Sequence, residues 1–163
     1  MYYNQSDLFA GLSHMFIKAI TGMSVREDYG AGAYIFRQGD PARRFYTLLQ
    51  GQIRLKTGDS GMVVHTVSHP GECFGWSALL DRETYSASAQ CREPSELMYI
   101  EAERFSRMIE EDKANGFRFM KRLAGMLGNR LLQNYQMASS MCSAEAVCSY
   151  GTRQVSESVA DIL

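Results

Sequence analysis

Gly71–Ala89 reads GECFGWSALLDRETYSASA, and the fold turns on how that run is parsed. It starts as a turn, becomes a short helical turn, loops, and enters a strand of small residues. Gly71 and Gly75 allow the backbone to come close to whatever sits there. Trp76-Ser77-Ala78-Leu79-Leu80 suits one helical turn whose unpaired N–H groups point toward Gly75. A helix start of that kind attracts anions, because free donors and the helix dipole add together. Ser86 and Ala87 then open a strand with small side chains. Small residues on both sides of a helix start predict a pocket for a phosphate-like group.

Working outward, turns recur at short intervals: Gly39-Asp40-Pro41, Gln50-Gly51, Gly58–Gly61 and Pro70-Gly71. Between them lie β-rich runs at Tyr34–Phe36, Phe45–Leu49, Ile53–Lys56 and Met62–Val67. Ile53-Arg54-Leu55-Lys56 alternates apolar and charged, as a half-buried strand does. Ser86–Arg92 puts Ala87, Ala89 and Cys91 on one face, and Leu97–Ile100 closes the set. With Met23–Tyr29 ahead of them, about eight short strands predict a sandwich, jelly roll or β-roll. Ser6 or Asp7 is placed to cap a short helix carrying Leu8, Phe9 and Leu12. Ser13 caps a second, His14–Gly22, with Met15, Phe16, Ala19 and Ile20 as its apolar side.

After Glu101 the pattern turns helical. Ala102–Glu111 places Phe105, Met108 and Ile109 together, and Asp112 is positioned to cap a long helix from Lys113 to about Met141. Phe117, Met120, Ala124, Leu127, Leu131, Asn134, Ala138 and Met141 follow alternating three- and four-residue steps. That is a coiled-coil seam with one polar member, Asn134, of the kind that fixes register. Phe119, Leu123 and Met126 form a second stripe over the first half only. The first half is therefore expected to touch both the β body and a partner helix. A homodimer through residues 113–141, with Phe117, Met120, Ala124, Leu127, Leu131, Asn134 and Ala138 at the interface, is the simplest closure of the seam. Ser143–Leu163 shows no sustained period.

Three blocks together resemble the cyclic nucleotide-binding domain of catabolite activators and kinase regulatory subunits. They are Ile35–Asp40 (IFRQGD), Phe45–Leu55 (FYTLLQGQIRL) and the Gly71–Ala89 cassette. The resemblance implies a mostly β fold with helices (α+β). It would be a double-stranded β-helix, or jelly-roll β-roll, with short N-terminal helices and a long C-terminal dimerisation helix. It implies a β-roll with flanking helices over residues 6–112, the long helix over 113–142 and a tail over 143–163. By the same resemblance, Gly75, Trp76, Ser77, Ala78, Tyr85, Ser86 and Ala87 are the ligand-binding cassette, with cyclic AMP or cyclic GMP as the ligand class.

The cassette departs from the family at two positions. The family's ribose-binding Glu falls on Trp76, and its phosphate-binding Arg falls on Tyr85. Charge-assisted hydrogen bonds contribute about 1.5–3 kcal/mol each, so losing both readers costs on the order of 3–6 kcal/mol of binding. Arg82 reaching in from the loop is one substitute. Two readings stay open. The domain is a regulatory sensor of a small ligand, or Trp76 and Tyr85 fill the cavity and the chain is a ligand-free dimeric interaction module. Catabolite activators continue past their long helix into a helix-turn-helix domain. The roughly 20 residues after Cys142 are too few for one, so no direct DNA binding is expected.

The totals fit this picture. A length of 163 residues suits one domain, and 45% hydrophobic with 21% charged residues suits a globular one. A net charge of −1, with only the pairs Arg43-Arg44 and Lys121-Arg122 as basic clusters, gives no nucleic-acid stripe. Cys73, Cys91, Cys142 and Cys148 form no CxxC pair, and His65 and His69 have no third His nearby, so no metal site is expected. GWSAL lacks the second Gly of a nucleophile elbow, and no Walker-type run occurs, so no enzyme is expected. The start MYYNQSDLF carries no signal-peptide pattern, and no run approaches the about 20 apolar residues of a membrane span. The cytoplasm is the expected location. A downstream protein partner is expected, but the sequence does not identify it.

Overall fold

The computed structural model describes residues 8–58, 60–80 and 82–142, with side chains described as far as residue 136. In chain order the elements are α1 (His14–Met23), β1 (Val25–Tyr29), β2 (Tyr34–Phe36), β3 (Arg44–Gln50), β4 (Ile53–Thr57), β5 (Met62–Val67) and β6 (Cys73–Phe74). A 3-10 turn (Trp76–Leu79), β7 (Ser88–Cys91), β8 (Ser95–Glu101), α2 (Ala102–Glu111) and α3 (Lys113–Cys142) follow. The strands form two four-stranded sheets, ordered β1-β8-β3-β6 and β2-β7-β4-β5, with every named pairing antiparallel. This is the expected jelly roll with its long helix. The chain divides into two units, residues 1–123 and 124–163.

β3 is where the two cores meet. Its five central residues, Phe45 to Leu49, are all buried, so both faces of the strand are covered. Tyr46 and Leu48 join Phe36, Ile53, Leu55, Val67, Phe74, Tyr85, Ala89, Cys91 and Leu97 inside the roll. Phe45 turns to the helices, 6.1 Å from Phe105 and 6.3 Å from Phe119, ring centre to ring centre. Phe119 also meets Phe9 at 5.7 Å and Phe105 at 4.8 Å. Of the predicted stripe, Phe119 and Leu123 are fully buried, while Met126 is half-buried.

The helix starts follow their caps. Ser13 Oγ accepts the Phe16 N–H at 3.2 Å, and Asp112 Oδ1 accepts the Asn115 N–H at 3.1 Å. Asn115 is buried and ties the two starts together: its Oδ1 accepts the Ser13 N–H at 2.9 Å and its Nδ2 donates to Ser13 Oγ at 3.1 Å. Cys73 and Cys91 are buried and, among the described residues, form no disulfide.

Several expectations change. α1 turns Phe16, Ile17 and Ile20 inward and leaves Met15 75% exposed. The larger Ile17 displaces Ala19 from the buried side. α1 runs to Met23, and Ser24 closes it by donating its N–H to Ile20 O, so β1 starts at Val25 rather than Met23. Leu8–Gly11 forms turns with Leu8 and Phe9 buried, while Ser6 and Asp7 lie outside the described residues. β6 forms where the sequence predicts a turn. Two residues are too few to show a period, yet they pair with Tyr46 and Thr47. β7 starts at Ser88, so Ser86 and Ala87 belong to the preceding loop. No helix among the described residues is long and apolar enough to cross a membrane.

Candidate functional site

The cassette is set by where β6 stops. Gly75 follows it with φ +77°, a left-handed turn that glycine adopts without strain. A Cβ there would lie 3.0 Å from Tyr46 Cδ2 and 3.2 Å from the Arg44 carbonyl oxygen, so the position also needs the absence of a side chain. The expected helical turn follows as a single 3-10 turn, Trp76–Leu79. Opposite it runs the loop before β7. Tyr85 holds that loop on the β2–β3 connection: its N–H donates to Asp40 O at 3.0 Å, and its carbonyl accepts the Gly39 N–H at 3.0 Å. Ala42 N–H to Glu83 O at 2.9 Å and Gln38 N–H to Ser88 Oγ at 2.9 Å fix the two ends.

The two sides meet. Ser77 Oγ and Ser86 Oγ are 3.4 Å apart, and the Ser86 N–H donates to Ser77 Oγ at 3.4 Å. Six of the seven expected cassette residues (Gly75, Trp76, Ser77, Tyr85, Ser86 and Ala87) line one cavity with Phe36 and Leu55. Ala78 is not on its wall. The cavity holds about 30 Å³. That is room for a water or two, against about 300 Å³ or more for a small-molecule site. Tyr85, on the wall of this cavity, is packed into the core. Its ring stacks on Phe36 at 3.7 Å and 14°, and it is 4% exposed.

The Tyr85 hydroxyl is seated as firmly as its ring. Alternate residues of β3 turn their backbone groups toward β6. Leu48 donates to Glu72 O and accepts from Gly71 N–H, and Tyr46 pairs with Phe74. Arg44 is next in that series, but β6 has ended. The Tyr85 hydroxyl fills the open rung: it donates to Arg44 O at 2.8 Å and accepts the Arg44 N–H at 3.1 Å. Burial pushes its pKa up, outweighing the hydrogen bonds from Arg44 and Tyr46 that pull it down, so the phenol stays neutral. No charged side chain is among the cavity's lining residues. Arg82 is exposed and lines an outer groove of about 520 Å³ with Gln38, Gly39, Glu83 and Thr84, and this groove shares Tyr85 and Ser86 with the cavity.

Arg44 extends the arrangement. Its Nε donates to Glu101 Oε1 at 3.1 Å, its Nη1 donates to Glu27 Oε1 at 3.4 Å, and its guanidinium lies 4.0 Å over the Tyr99 ring. Ahead of β6, Glu72 gathers His65 Nε2 at 2.8 Å and the N–H groups of Ser68 and His69 at 3.0 and 3.3 Å. His65 and His69 thus both turn to one carboxylate. Among the described residues no group of three His, Cys, Asp or Glu is arranged to hold a metal ion. The roles of Arg44 and Phe36 were not legible in the sequence. The cassette pattern names neither of them, and only the length of β6 reveals the rung.

Of the expected dimer residues, Phe117 and Met120 are exposed, as are Ala124, Leu131 and Asn134, while Leu127 is half-buried. Leu132 and Tyr135 add further exposed apolar surface. Ala138 lies in α3, but its side chain is outside those described.

The comparisons agree with the geometry. The "Cyclic AMP receptor protein" of Thermus thermophilus is 34% identical over 106 residues, covering 64% of this chain and 49% of that protein. A Geobacter metallireducens protein, provisionally named as cyclic nucleotide-binding, superposes with a TM-score of 0.70 at 28% identity, covering 78% of this chain and 94% of that one. The Thermus thermophilus catabolite activator protein superposes with a TM-score of 0.68 at 28% identity, covering 84% of this chain and 63% of that one. The chain spans between 14% and 49% of the length of the curated relatives it matches. The profile of the cyclic nucleotide-binding domain matches residues 26–112, which takes in both sheets and the cassette, and the chain belongs to that family.

Proposed function

We propose that this chain is a regulatory domain whose nucleotide site is closed by its own side chains, and that it acts by pairing with a second copy through α3. Tyr85 carries the reading. A residue stacked on Phe36 and seated on the Arg44 rung occupies the place a ligand would need, and leaves about 30 Å³. The exposed Phe117, Met120, Leu131 and Tyr135 support the pairing, since an apolar stripe of that length marks a partner surface. In this reading the paired domain works in the cytoplasm on a downstream protein and catalyses no reaction itself.

A second reading, a sensor of cyclic AMP or cyclic GMP, draws on the match to a cyclic AMP receptor. It requires Tyr85 to leave Phe36 and Arg44, and a neutral lining to hold a phosphate. A Trp76→Glu, Tyr85→Arg double variant separates the two. The closed-site reading expects it to bind a cyclic nucleotide that the parent protein does not, measured by calorimetry. No gain by the folded variant would mean that the shell itself has diverged.

A further inference from the structure

Tyr85 and Glu101 share no hydrogen bond, yet both close on one residue. The Arg44 backbone brackets the Tyr85 hydroxyl, and the Arg44 side chain holds Glu101 and Glu27 from β8 and β1. Glu101 is the N-cap of α2, and no side-chain hydrogen bond completes that cap. The first turn is held instead by Arg43, just before β3, and by Arg44, the first residue of β3. The Ala102 N–H donates to Arg43 O at 2.8 Å, and Glu101 pairs with Arg44. So Arg44 seats Tyr85 through its backbone and the start of α2 through its side chain, while the adjoining Arg43 carbonyl accepts the Ala102 N–H.

We propose that Arg44 is a coupling strut: the position of Tyr85 sets the first residues of β3, and through them the N-terminal turn of α2. Displacing the hydroxyl frees the Arg44 N–H and carbonyl at a strand end where β6 offers no other partner. β3 can then shift only by carrying the Arg43 carbonyl and the Arg44 guanidinium with it. Both are bonded to the start of α2. The strut goes beyond the closed-site reading and does not depend on it. If a nucleotide expels Tyr85, the same residue transmits the expulsion.

A double-mutant cycle in the full chain tests it, with Tyr85→Phe, Glu101→Gln and both together, read as unfolding equilibrium constants. Sites without shared partners combine to within about twofold, and sites acting on a shared partner depart further. The strut predicts that the double variant differs from the product of the single effects by more than about twofold. A product obeyed to within twofold overturns it. Should Tyr85→Phe fail to fold, Glu101→Gln alone decides, because coupling is reciprocal. Hydrogen exchange at the Tyr85 amide should then speed up more than at the Leu97 amide. An equal change at both overturns the proposal.

Discussion

The Tyr85 hydroxyl donates to the Arg44 carbonyl oxygen at 2.8 Å while accepting the Arg44 N–H at 3.1 Å, so a side chain supplies the rung that a two-residue strand leaves open. Removing only the hydroxyl tests how much that rung matters. Tyr85→Phe keeps the stack on Phe36 but orphans two backbone groups, and should lower stability by about 1–3 kcal/mol. Tyr85→Ala also opens a cavity and should cost about 3–5 kcal/mol. Denaturant titration of the two variants checks both values and their order.

Gly75 turns the chain away from Arg44 in a conformation that an L side chain resists. Gly75→Ala adds the cost of that backbone, about 1–2 kcal/mol, to a Cβ pressed against Tyr46 Cδ2 and Arg44 O. The loss of stability should exceed the backbone cost alone, because the second contact is to backbone that cannot swing aside. A thermal melt of the variant beside the parent protein provides the measurement.

Glu72 sets an acid limit. Burial pushes its carboxyl pKa up, but the bonds from His65 and from the Ser68 and His69 amides outweigh it, and the net shift is downward. A depressed carboxyl contributes stability that is fully present above its unfolded pKa of about 4.3 and is lost as the pH falls through the folded value. Glu72→Gln removes that dependence. Melting temperatures taken at falling pH should show the parent protein losing ground on the variant below about pH 4.3. Parallel curves would contradict the assignment.

Pairing through α3 has an unusual electrostatic signature. From Lys113 to Cys142 the helix carries Lys113, Arg118, Lys121, Arg122 and Arg130 and no acidic residue. Two copies side by side repel, so the dimer should tighten as salt rises from about 0.01 to 1 M and the screening length falls from roughly 30 to 3 Å. Leu131→Asp should weaken it at least about tenfold, or 1.4 kcal/mol. Sedimentation equilibrium reads both effects. A protein that stays monomeric at every salt concentration removes the pairing.

Where one residue type at one spacing carries the signal, the sequence was legible. Phe119 and Leu123 stood out by their four-residue step, Ser13 and Asp112 by their caps, and the cassette by its glycines and small residues. The buried side of α1 was misread because Ile17 outweighs Ala19, a matter of volume that periodicity does not weigh. β6 was missed because two residues have no period. The seat of Tyr85 was hidden for the same reason, since only a strand that stops at Phe74 leaves Arg44 to be satisfied by a phenol.

The most direct measurement is the fluorescence of Trp76, the single tryptophan of the chain and part of the cavity wall, during titration with cyclic AMP and with cyclic GMP. With Tyr85 seated, the emission should stay unchanged up to about 1 mM of either nucleotide, where a dissociation constant would correspond to only about −4.1 kcal/mol. A saturable change at lower concentration would show that the site opens and would contradict the account.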